Sequence, residues 1–226
     1  KRCFIGYTAT PFANIFIHED GTTKEHGPDL FPKNFIIDLP IPSNHSGIEK
    51  LFPKEILKNN EIEDEEIDEN PFFEVVNDHS LYPEDRDCDV GWMPPIHKKD
   101  HYPIYDDENN PIPPSLRKAV ISFILSSVTR NIRGHIKKHK SMLIHASRFV
   151  DVQNKVFNQI VNLISEFRNK INSNDSEFLA ELNKVWINQF LKYEDKNEEP
   201  LPNFEKIISE EKGLNWTIIE ISKNIK

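Results

Sequence analysis

From residue 115 onward the apolar positions recur at helical spacing. Leu116, Ala119, Val120, Phe123, Ile124, Ser127, Val128 and Ile132 trace one face. That stripe predicts a helix that opens after Pro113 and Pro114 with Ser115 as its N-cap and stops at Gly134. A second stripe, Val152, Val156, Phe157, Ile160, Val161, Ile164, Phe167 and Ile171, predicts a long amphipathic helix. Phe178, Leu179, Leu182, Val185, Trp186 and Phe190 repeat the pattern over about 176–193, and a short helix is expected near 204–212. Two runs read differently. Met142-Leu143-Ile144-His145 is short, apolar and bounded by polar residues, as expected of a buried strand, and Trp216-Thr217-Ile218-Ile219-Glu220-Ile221 reads as a final strand.

The first half of the chain is patterned otherwise. Residues 3–7 read as a strand, Thr8-Ala9-Thr10-Pro11 as a shaped turn in which Pro11 holds Thr10 extended, and residues 12–17 as a second apolar stretch. Most of the sixteen prolines then fall between residues 20 and 114. Proline removes backbone donors and blocks helix interiors, so only a short strand at 34–39 and a helical turn at 47–57 are expected there. Strands alternating with helices imply an α/β layer with a parallel sheet and right-handed crossovers.

Charge divides the chain more sharply than hydropathy does. The formal net charge is −9 over 226 residues, yet residues 51–112 carry eighteen acids against five bases. The run Glu61-Ile62-Glu63-Asp64-Glu65-Glu66-Ile67-Asp68-Glu69 lies within that stretch and is expected to be a loop. Residues 115–150 contain no acid and eight bases: Arg117, Lys118, Arg130, Arg133, Lys137, Lys138, Lys140 and Arg148. Such a segment attracts polyanions locally even in an acidic chain.

Several chemistries are excluded by residue type. The seven glycines, at 6, 21, 27, 47, 91, 134 and 213, have no spacing that forms a dinucleotide turn, a nucleophile elbow or a phosphate loop. Two cysteines, Cys3 and Cys88, build neither a disulfide framework nor a multi-cysteine zinc site. No long apolar run suits a membrane, so a cytoplasmic location is expected. The opening Lys1, followed at once by Cys3-Phe4-Ile5, suggests a piece of a longer polypeptide.

What remains is a phosphate-binding chemistry. Ser147 and Arg148 combine a hydroxyl and a guanidinium at the start of a helix, whose N-terminus carries partial positive charge. Arg130, Arg133, Lys137, Lys138 and Lys140 extend this into a track or, equally well, form a solvated basic face. The pairs His97/His101 and His135/His139 have zinc spacing without companion ligands, and exposed histidines are the default. Asp85, Asp87, Asp89 and Gly91 resemble a calcium loop with the glycine one place late. Glu194-x-Lys196 and Glu210-x-Lys212 have the short form of a nuclease motif but no upstream carboxylate partner. No catalytic or metal-ligating residue is therefore assigned.

The segments Gly6-Tyr7-Thr8-Ala9-Thr10-Pro11-Phe12-Ala13-Asn14, Asp29 to Ile36, Ile112 to Leu116, Arg130-Asn131-Ile132-Arg133-Gly134 and Ser141-Met142-Leu143-Ile144-His145-Ala146-Ser147-Arg148-Phe149 resemble, in order, blocks of the Z-one (Z1) domain family. That family is associated with helicases and carries an endonuclease label. The resemblance implies a partial RecA-like parallel sheet layer with a proline-rich irregular insert and a helical C-terminal part. It divides the chain into the end of a first lobe at 1–19, the acidic insert at 20–114 and the start of a second lobe at 115–226. It also implies an ATP-dependent DNA helicase or translocase of a restriction or phage-defence system, with ATP and Mg²⁺ bound outside this chain. Thr8, Ala9 and Thr10 would couple nucleotide state to DNA grip, and Arg130, Arg133, Lys138, Ser147 and Arg148 would hold the DNA backbone. DNA and partner proteins of a defence operon are the expected partners. A non-catalytic interaction module and a metal-dependent endonuclease are the alternatives.

Overall fold

A computed structural model describes residues 22–23, 27–28, 37, 74–106, 111–194 and 199–225. Thr8, Ala9, Thr10, the strand expected at 3–7, the helical turn at 47–57 and the acidic run at 61–69 lie outside the described residues, as does all but Ile37 of the strand expected at 34–39. The chain divides into two compact units, Lys1–Lys50 and Leu51–Lys226. In the first, Thr22–Thr23 (β1) and Gly27–Pro28 (β2) pair antiparallel, Thr22 opposite Pro28 and Thr23 opposite Gly27.

The second unit is helical. Its elements are α1 (Pro114–Ile132), α2 (Val150–Asn172), α3 (Ser176–Gln189), a 3₁₀ turn (Leu191–Tyr193), α4 (Phe204–Ser209) and α5 (Leu214–Asn224). Helix α1 packs against α3, α4 and α5, while α2 packs against α3 and α5. Their shared core is built from Ile121, Ile124, Leu125 and Val128 of α1, Val152, Ile164 and Phe167 of α2, Phe178, Leu182 and Trp186 of α3, and Leu214 and Ile218 of α5. Each such side chain contributes about 1.5–3 kcal/mol by leaving water. Because α1 has neighbours on several sides, its burial spreads beyond the expected stripe: Ile121 and Leu125 are fully buried, whereas Ala119 is exposed.

This arrangement overturns the α/β expectation. Among the described residues the only strands are β1 and β2, so no RecA-like parallel sheet layer is present there. The run from Trp216 to Ile221 lies inside α5. Its β-branched residues suggested a strand, but Leu214, Thr217, Ile218, Ile221 and Ile225 recur at three- and four-residue steps, and burying that stripe against α1 and α2 outweighs a weak strand propensity. Residues 141–147 belong to no helix or sheet. Met142, Ile144 and Ala146 pack on the core while Leu143 is 88% exposed, so the period is that of a strand but the ladder is missing.

The helix ends show how local chemistry places the elements. Gly134, at φ +82°, ends α1 in the left-handed region as expected of a C-terminal glycine. Asp175 accepts from the Phe178 amide at 2.8 Å and caps α3, and Asn203 accepts from the Lys206 amide at 2.9 Å and caps α4. At α1, Pro113 and not Ser115 occupies the cap position. Ser115 instead donates its amide to Asp78 Oδ2 at 2.8 Å and its hydroxyl to Oδ1 at 2.6 Å. A carboxylate 37 residues upstream thus does the work of a cap, satisfying first-turn donors and facing the positive helix end.

Residues 74–106 and 111–113 are irregular yet fastened. Trp92 Nε1 donates to Gln159 Oε1 at 3.0 Å, and Gln159 Nε2 donates to the Pro103 carbonyl, both within the interior. Lys155 Nζ donates to the carbonyls of Asp100 and His101 at 3.0 and 3.1 Å and pairs with Asp151 at 2.7 Å. The loop holding residues 92–103 is therefore tied to the first half of α2.

Candidate phosphate site

Ser147 and Arg148 precede α2, and the fastened loop brings His97 onto them. The Pro94 carbonyl, which only accepts, lies 2.9 Å from His97 Nδ1, so that nitrogen carries the proton. In the tautomer with the proton on Nδ1, Nε2 is the acceptor and the Ser147 hydroxyl, 2.8 Å away, is its donor. The Phe149 amide donates to Ser147 Oγ at 3.1 Å, and Gln153 Nε2 donates to the Ser147 carbonyl. Phe149 also meets the His97 ring edge-on, with centroids 5.6 Å apart and planes at 88°. Ser147 is 4% exposed.

Beside this pair opens a cavity of about 330 Å³ lined by Pro95, His97, His145, Ala146, Ser147 and Arg148. The Arg148 guanidinium lies over the Phe149 ring, 4.9 Å from its centroid, and the residue is exposed. Stacking on an aromatic face holds a guanidinium in place without consuming its donors. A hydroxyl and an arginine line one concave site immediately before a 23-residue helix, an arrangement suited to an oxyanion.

The other expected phosphate ligands are placed differently. Arg130 donates to the His139 carbonyl at 3.2 Å, which holds the loop after α1. Arg133 donates to the carbonyls of Glu199 and Pro200 and pairs with the Glu199 carboxylate at 3.4 Å. Lys140 donates to Asn131 Oδ1, and Asn131 in turn donates to Thr217 Oγ1 of α5 at 2.9 Å. Burial holds the Lys140 ammonium below its ordinary pKa, with repulsion from Arg130 adding to the shift. Lys137 and Lys138 are exposed. The structure thus brings Ser147 and Arg148 together, and uses Arg130 and Arg133 to tie down loops.

By spacing alone His97 reads as half of a zinc pair; its serine partner is 50 residues away and leaves no sign in the spacing. His101 lies 5.7 Å from it, ring to ring, and is occupied by the Trp92 carbonyl at 3.0 Å. The aspartates of the calcium-like stretch make a turn in which Asp85 accepts from the Asp87 amide at 2.9 Å. Among the described residues no group of three or more His, Cys, Asp or Glu side chains is placed to hold a metal ion, and no helix is long and apolar enough to cross a membrane.

The described residues of the second unit form a helical domain with a cavity lined by His97, Ser147 and Arg148. Residues 115–224 match the family model of the Z1 domain, which supports the Z1 family for this part of the chain. No curated protein and no solved structure matches it.

Proposed function

We propose that this protein is a DNA-contacting module of a restriction or phage-defence protein, and that the cavity at Ser147 and Arg148 receives a backbone phosphate. The observation that carries this reading is that Arg148 and Ser147 line one cavity just ahead of α2, within an acid-free stretch of sequence. An open arginine beside a helix N-terminus neutralises a phosphate at small reorganisation cost. Through the family resemblance the proposal extends to an ATP-dependent helicase or translocase that uses ATP and Mg²⁺ outside the described residues, in the cytoplasm, with partner proteins of a defence operon. In that assembly the helical domain is a grip on DNA and not a lobe of the motor.

Titrating fluorescently labelled single- and double-stranded DNA across a salt series tests the grip. Arg148→Ala should weaken binding about tenfold and lower the slope of log affinity against log salt by about one. If the slope and affinity match the parent protein, the assignment of Arg148 fails.

The interaction-module reading is favoured by one feature. Leu143, 88% exposed, borders an apolar cavity of about 640 Å³ whose lining includes Phe123, Phe157, Ile160 and Ile221. Leu143→Asp should leave DNA binding intact and abolish association with any partner that uses this face. A pull-down with defence-operon proteins that recovers the same set with the variant would remove this reading.

A further inference from the structure

We infer that Ser147 and His97 form a nucleophile and base that cleave a phosphodiester without a metal ion, an inference that rests on the cavity receiving a backbone phosphate. The geometry has the parts such a pair requires. The hydroxyl donates to Nε2 over 2.8 Å, and the Pro94 carbonyl at 2.9 Å from Nδ1 keeps Nε2 as the basic nitrogen. A main-chain carbonyl here does what an orienting carboxylate does in other serine–histidine sites. The imidazole is held from the side as well, edge-on against Phe149, and the loop carrying it is fastened by Trp92 to Gln159.

The serine oxygen has capacity left for attack. A hydroxyl oxygen offers one hydrogen and two lone pairs. The hydrogen goes to His97 and one lone pair accepts the Phe149 amide at 3.1 Å, which leaves Oγ one lone pair; Ser147, 4% exposed, lines the cavity. The Asp151 carboxylate, which would repel a phosphate from the first turn of α2, is paired with Lys155 at 2.7 Å.

The reaction balances with water as the sole co-reactant. Ser147 Oγ attacks phosphorus as its proton passes to His97 Nε2. The bond from phosphorus to the leaving sugar oxygen breaks, and that oxygen takes the proton from the imidazolium. One DNA end is then esterified to Ser147. Water next attacks the same phosphorus and gives a proton to Nε2, the bond from phosphorus to Oγ breaks, and Oγ recovers its proton. The products are a phosphate monoester and an alcohol, with no change in oxidation state. Arg148, which lines the cavity, offsets the negative charge that builds on the phosphoryl oxygens.

The test is to incubate the full chain with a fluorophosphonate probe in EDTA and map the adduct by peptide mass spectrometry, following bis(p-nitrophenyl) phosphate hydrolysis in the same buffer. The expected result is an adduct on Ser147 and measurable hydrolysis. Both should be absent in Ser147→Ala and slowed at least about a hundredfold in His97→Gln. An unlabelled Ser147 in the parent protein, or equal labelling rates in parent and His97→Gln, would overturn the pair. Because the parent protein carries its own readout, a variant that fails to fold does not shield the inference. DNA titration in the same EDTA buffer separates the two readings. DNA binding without an adduct removes the chemistry and leaves the phosphate site, whereas an adduct in a protein that binds no DNA overturns the phosphodiester as substrate.

Discussion

The two basic stretches of this chain, around Arg130 to Lys140 and at Ser147-Arg148, look alike in composition and behave differently in structure. In the first, arginines and a lysine are turned onto the protein's own carbonyls and onto Asn131. In the second, the arginine lies on an aromatic ring at the mouth of a cavity. A cation already bonded to carbonyl groups must give up those bonds before it can serve a phosphate, whereas one stacked on a ring keeps its donors. Counting positive charge therefore identifies the segment but not the contact.

Substitutions can break this contrast. The largest effect is expected at Gln159, whose loss strands Trp92 Nε1 and the Pro103 carbonyl in the interior. Gln159→Ala should cost about 2–4 kcal/mol in chemical denaturation and weaken DNA binding too, because it loosens the loop that carries His97. Arg117 comes next. It donates to Glu181 at 2.7 and 2.9 Å and to Glu166 at 3.3 Å, lies over Phe167, and has its pKa raised chiefly by the Glu181 hydrogen bond. Its side chain remains 24% exposed, so Arg117→Met should cost about 1–2 kcal/mol and leave DNA affinity unchanged.

Arg133→Ala sharpens the comparison at smaller scale. Stability should fall by about 0.5–1 kcal/mol while the salt slope of DNA binding stays that of the parent, the reverse of the pattern expected for Arg148→Ala. A DNA slope lowered equally by both would restore a continuous track.

The smallest effect concerns pH. Lys140 has its folded pKa below its unfolded value of 10.5, so the charged form is disfavoured by folding. The penalty is fully present below the lowered pKa and is relieved as pH rises from there towards 10.5. Lys140→Met should therefore lose a slight alkaline gain in stability, read as the difference between the two denaturation midpoints across that range. Parallel pH profiles would remove this account.

Legibility in the sequence followed the range of the interaction. Helices α2 and α3 were readable because their apolar stripes repeat locally and each faces a limited set of neighbours. Gly134 marked the end of α1 for an equally local reason. The final helix was misread since six residues rich in isoleucine satisfy both periods, and only the longer stripe ending at Ile225 separates them. Ser147 and Arg148 could be singled out from their place before a helix. His97 and Asp78 could not, because each acts on a residue dozens of positions away, through a loop without regular structure. Thr8, Ala9 and Thr10 lie outside the described residues, so the coupling role expected of them stands on resemblance alone.

The reach of Asp78 to the amide of Ser115 bears on where this domain can be cut. A truncation starting at residue 115, where the family match begins, would discard that carboxylate together with Trp92 and His97. Such a product would start with an uncovered helix and a cavity stripped of its Pro95 and His97 wall. Gene dissections that trim to the matched boundary would then record a loss of folding stability that belongs to the surgery and not to the domain.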